Sequence, residues 1–118
     1  MAAAKQNLVI EDNGEKTRVF VWKNAQGRPI NLRGYTARIQ GRVSKESPSP
    51  IFDYTDLSGQ ILLDATKGRI EVRFDQAAIN AIKAAGNSCF YDIVMTPDQG
   101  DPVRLLEGKI QISVGVTR

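Results

Sequence analysis

From Tyr35 the chain alternates in polarity, with Tyr35, Ala37, Ile39, Gly41 and Val43 falling on one side and Thr36, Arg38, Gln40 and Arg42 on the other. Successive side chains of an extended chain point to opposite faces. A period of two therefore predicts a half-buried strand, its apolar face on a core and its basic, polar face outward. The same period recurs along the chain. In "IEVRF", Ile70, Val72 and Phe74 oppose Glu71 and Arg73; in "SCFYDIVM", Cys89, Tyr91, Ile93 and Met95 share one parity. In the last and longest segment, "VRLLEGKIQISVGVT", Leu106, Ile110, Ile112 and Val114 oppose Glu107, Lys109, Gln111 and Ser113. "QNLVIE", "KTRVFVWK", "IFDYTD" and "QILLDAT" complete the strand candidates.

Gly and Pro punctuate these segments. "DNG" between "QNLVIE" and "KTRVFVWK" carries Asn-Gly turn chemistry and predicts a hairpin there. "KNAQGRPINL" supplies a turn through Asn24, Gly27 and Pro29, and "TKGR" another. Pro48 and Pro50 cannot donate to a central ladder, so "SKESPSP" reads as an exposed loop. One stretch has helical character, "DQAAINAIKAAG", predicted as a short helix over about residues 76–85: Asp75 as N-cap, an Ala-rich body, Ile79 and Ile82 on one side, and Gly86 to end it. About seven or eight short strands with one corner helix predict an all-β antiparallel sandwich, a single domain over residues 1–118 without repeat or linker.

Composition removes several function classes. With 42% apolar and 25% charged residues in 118, the chain has the make-up of a globular domain rather than a disordered one. Its net charge of +3 comes from 16 basic and 13 acidic residues spread along the whole length, with no basic run. Specific nucleic-acid binding is therefore not expected. There is no His, the usual general base and commonest metal ligand, and Cys89 is the single cysteine. That inventory rules out an intrachain disulfide and the standard structural zinc sets, and places Cys89 in the core as a small hydrophobe. No Walker-type phosphate loop occurs, since "GRI" and "GKI" hold single glycines. Asp53, Asp56 and Asp64 lie near one another in sequence, but a calcium loop's alternation of Asp or Asn with Gly and a closing Glu is missing, which favours solvated acids beside turns. The reading is a non-enzyme without catalytic residues, cofactor or metal. The start "MAAAKQNLVI" lacks the apolar core of a signal peptide, and no run approaches the roughly 20 apolar residues of a membrane span. Synthesis and folding in a cytoplasm, with no membrane partner, are expected.

Two features point outward. In "RVFVWK" both parities are apolar, Val19 and Val21 against Phe20 and Trp22, so both faces of that strand require cover. One face belongs to the core; the other is covered either by the corner helix or a loop, or by another chain. The second feature is the outward row Arg38, Gln40 and Arg42, which suits an acidic partner surface or plain solvation. Phe20, Trp22, Arg38, Gln40 and Arg42 are the candidate protein-contact residues.

The order of motifs also carries a resemblance. "VFVWKNAQGRPINLRGYTARIQGR", then "GRIEVRF" followed by a short Ala-rich segment, then "FYDIVMTPDQGDPVRLLEGKIQISVGVTR", resembles small virion proteins of tailed bacteriophages related to the immunoglobulin-like N-terminal domain of baseplate upper proteins. The resemblance runs from Asn7 to the C-terminal "VTR", and Arg33 stands where relatives carry Thr. It implies an immunoglobulin-like sandwich, no catalytic residues, and a place in the virion after synthesis in the host bacterial cytoplasm. The implied partners are other virion proteins, met in several copies on a symmetric particle. A tail or baseplate adaptor is the first expectation and a capsid decoration protein the alternative. A carbohydrate-binding module is a lesser alternative, because it needs a plane of exposed aromatics and most of the eight aromatic residues sit at core parity.

Overall fold

A computed structural model describes residues 4–12 and 16–113. Its strands are β1 (Ala4–Lys5), β2 (Leu8–Glu11), β3 (Thr17–Val21), β4 (Thr36–Arg42), β5 (Phe52–Thr55), β6 (Ile61–Asp64), β7 (Arg69–Arg73), β8 (Ser88–Thr96) and β9 (Val103–Ser113), with helix α1 (Gln76–Ala84) between β7 and β8. The larger sheet runs β1-β9-β8-β4-β5, with β2 also on β9, and the smaller runs β3-β7-β6. β1 and β2 keep one register along β9, from Ala4 opposite Leu106 to Glu11 opposite Ser113, and so form one edge strand interrupted at Gln6 and Asn7. There the Asn7 side chain accepts from the Lys109 N–H, while the Tyr91 hydroxyl donates to the Gln6 carbonyl. Counted so, the chain has eight strands among the described residues. The whole is an all-β, immunoglobulin-like sandwich with one corner helix.

The alternation seen in the sequence sets the layers. β8 alternates without a break over nine residues, burying Cys89, Tyr91, Ile93 and Met95. β4 buries Ala37, Ile39 and Gly41, and β7 buries Ile70 and Val72. These residues join Phe20, Phe52, Phe74 and the helix isoleucines in one core cluster fed by both sheets. The helix begins where expected, with the Asp75 carboxylate accepting from the Ala78 N–H at 2.9 Å, and its end is followed by Gly86 and Asn87 at φ of +96° and +69°. Ile79 and Ile82 are fully buried. Each contributes about 1.5–3 kcal/mol against about 1 kcal/mol for the cap, so packing holds the helix and the cap fixes where it starts.

Three expectations are corrected. The hairpin does not form, because β2 runs parallel to β9 in the larger sheet while β3 pairs antiparallel with β7 in the smaller one. The connection crosses from sheet to sheet, which lets Leu8, Ile10 and Phe20 all face one core; the expected turn residues Asn13 and Gly14 lie outside the described residues. The edge strand is thereby a parallel exception in an otherwise antiparallel sandwich. Val43 is half exposed instead of inward, since β4 ends at Arg42 and the chain leaves the sheet. Val114, assigned to the core parity of the last strand, also lies outside the described residues.

Candidate protein-contact face

Two of the five candidate contact residues are placed differently from expectation. Phe20 is 5% exposed and belongs to the core, and the outward parity of β3 is taken by Val19 and Val21, each nearly half exposed. Both faces of this strand are apolar, and the larger aromatic ring removes more area from water when it turns inward. Trp22 is half-buried just beyond β3, edge-on to Tyr35 with ring centroids 5.6 Å apart. Its open side adjoins a shallow trough of about 390 Å³ at the seam between the sheets, walled by Ala4 and Leu105 across from β3.

Arg38, Gln40 and Arg42 do share the outer face of the larger sheet. Their neighbours come from strands distant in sequence, and the registers arrange them in three rows across the sheet. The first row is Arg42, Phe90, Lys109. The second is Asp53, Gln40, Asp92, Glu107, Lys5. The third is Arg38, Val94, Arg104. Arg104 owes its place to a bulge between Ile93 and Val94 in the β8–β9 ladder, where Leu105 is the extra residue on β9 and shifts its parity.

The second and third rows largely neutralise each other. The Arg38 Nε donates to Asp53 Oδ1 at 2.9 Å, Gln40 Nε2 donates to Asp53 Oδ2 at 3.2 Å, and Arg104 Nε lies 3.3 Å from Asp92 Oδ2. The Arg38 guanidinium, seconded by Gln40, holds the Asp53 carboxyl below its ordinary value. In the first row Arg42 donates to the Ser47 carbonyl and to Gln40 Oε1, both neutral acceptors. Lys45 and Lys109 stand over the Phe90 ring, with Nζ 5.7 and 5.4 Å from its centroid. Among the described residues no carboxylate pairs with Arg42, Lys45 or Lys109.

Most of these side chains, without Arg38 and Asp53 but with Lys45, line a groove of about 630 Å³ that carries five basic and two acidic side chains. Its excess equals the net charge of the whole chain, so the remaining eleven basic and eleven acidic residues cancel. Sequence reasoning missed Phe90, Lys45 and Lys109. The outward parity of Phe90 and Lys109 was readable from their own strands, but their meeting with Arg42 depends on strand order.

Nothing in the face is reactive. Cys89 lies on the opposite side of β8, and burial pushes its thiol up to about 12, far from a thiolate at neutral pH. Asp53, Asp56 and Asp64 do not converge: Asp53 engages Arg38, Asp56 accepts from the Ala37 N–H, and Asp64 sits 4.0 Å from Lys67. Among the described residues no three His, Cys, Asp or Glu side chains are placed to share a metal ion, and no helix is long and apolar enough to cross a membrane.

No family model and no curated protein matches the chain. Among solved structures, Drosophila OTK extracellular domains 3–5 match over 90% of this chain at 9% identity with a TM-score of 0.37. This chain corresponds to 32% of that one, and a likeness so loose carries no functional argument.

Proposed function

We propose that the protein is a non-enzymatic structural component of a tailed-phage virion, a tail- or baseplate-associated adaptor that works through the outer face of its larger sheet. The observation that carries a binding role is the concentration of the chain's charge excess in one groove, on a face held rigid by the β-ladders. A fixed array of unpaired cations steers and orients a partner, whereas scattered surface charge does not. The motif order set out above supports the virion context. In a symmetric particle the same contact repeats, so a weak single contact becomes a firm attachment through effective concentration.

The test is size-exclusion chromatography with light scattering on the purified protein, alone and mixed with disrupted phage particles. A monomer that co-elutes with tail or baseplate fragments supports the adaptor. Binding confined to emptied heads reassigns it to capsid decoration, and binding to neither overturns the virion reading; a glycan array then tests the carbohydrate alternative.

A further inference from the structure

We infer that the Phe90 end of the groove is a docking site for an extended acidic segment of a partner protein, with Arg42, Lys45 and Lys109 taking its carboxylates and the Phe90 and Val94 side chains its apolar residues. The inference rests on the contact-face reading and names the chemistry of the partner. Two ammoniums stand at one aromatic ring, and neither has a carboxylate partner among the described residues. An incoming anion supplies the missing counter-charge. It also replaces an exposed cation–π contact with a stronger charge-assisted hydrogen bond.

A protein segment fits this site better than a polyphosphate or a sugar. The unpaired cations cluster at one end, and Asp92 and Glu107 line the same groove, where they would repel a phosphate backbone but accept from peptide N–H groups. A neutral sugar would leave the groove's excess of three positive charges unmet. Val94, opposite Arg38 and Arg104 and four residues along β8 from Phe90, adds a second apolar point on the same face, with Asp92 between the two. An extended segment meets both the cations and these apolar points when acidic and aliphatic side chains share its groove-facing positions, which recur at every second residue.

The experiment is an NMR titration of the whole protein with a synthetic peptide in which pairs of glutamates alternate with pairs of valines, so that either face of the extended segment carries both, beside a single-stranded DNA oligonucleotide of equal charge. It compares wild type with Lys45→Glu/Lys109→Glu and with a control of identical charge change away from the groove, Lys23→Glu/Lys67→Glu. The expected result is that peptide shifts the amide resonances of Lys45, Phe90 and Lys109, that affinity falls steadily with salt, and that the groove variant loses about tenfold or more while the control stays within about twofold. Absence of peptide shifts, equal loss in the control, or DNA binding as tight as peptide binding would each overturn the inference. Co-elution with particle fragments separates the two readings. If the groove variant co-elutes as well as wild type, the acidic-segment site is overturned and the virion adaptor stands; if wild type fails to co-elute, the virion reading falls while the titration still decides the groove.

Discussion

Gly41 shows how a single absent side chain shapes the core. It occupies an inward position of β4, and a Cβ there would run into the ring of Phe52 on the neighbouring strand. That ring has little room to retreat, since it packs against Tyr54 and stands edge-on to Phe74 with centroids 5.1 and 5.9 Å away. Gly41→Ala is therefore expected to destabilise the protein by about 1–3 kcal/mol through overpacking, less the roughly 0.5–1 kcal/mol that Ala regains over Gly in a strand. Urea denaturation followed by circular dichroism measures this, and Phe52→Leu in the Gly41→Ala background should recover part of the loss; additive losses would show that the two side chains do not compete for space. In the sequence Gly41 was legible as an inward position but not as a required glycine, because Phe52 lies eleven residues away on another strand. Phe20 was misplaced for a related reason: a strand apolar on both faces does not declare which face meets the core.

At the scale of elements, the helix was legible because its signals are local. Asp75 caps it, Ile79 and Ile82 anchor it, and Gly86 follows its end, all within a dozen residues. The structure adds a link the sequence could not supply, a 2.6 Å hydrogen bond from the Tyr54 hydroxyl to Asp75 Oδ1 that ties the cap to β5. The same bond, with the Ala78 N–H, lowers the Asp75 pKa below its ordinary 3.8. A carboxyl with a lowered folded pKa stabilises the fold fully above its unfolded value and loses that contribution as pH falls through the folded value. Wild type should accordingly lose stability relative to Asp75→Asn between about pH 4 and more acidic conditions, while Asp75→Ala should cost about 1 kcal/mol at neutral pH through loss of the cap. Urea midpoints of the three proteins at about pH 7 and about pH 3 check both statements, and a wild-type to Asn difference that does not change with pH would remove Asp75 as the responsible group. Pairings were less legible than the helix. The expected hairpin failed because turn chemistry constrains only neighbours, whereas the edge strand's place on β9 depends on covering a core built from both sheets.

Across the whole molecule, the candidate face exists only once the strand order is known. Arg42, Phe90 and Lys109 are brought side by side by β4, β8 and β9, and no spacing within one segment announces that row. The single core cluster has a parallel consequence for unfolding, because residues of both sheets and the helix bury one another and neither sheet retains an apolar face of its own. The sandwich should therefore open as one cooperative unit, and two native probes on different sheets can test it. Trp22, the only tryptophan, hydrogen-bonds to Gly68 at the end of the smaller sheet, and Cys89, the only cysteine, is buried on β8 of the larger one. Native-state alkylation of Cys89 should be slow, since the thiol is enclosed and its pKa is pushed up to about 12, and its rate should rise with urea along the slope given by Trp22 fluorescence. Coincident dependence means that the thiol reacts only when the whole sandwich opens. A labelling rate indifferent to low urea would instead place a local opening at β8, beneath the row that holds Phe90, and the face proposed for docking would not be the rigid array that its charge arrangement requires.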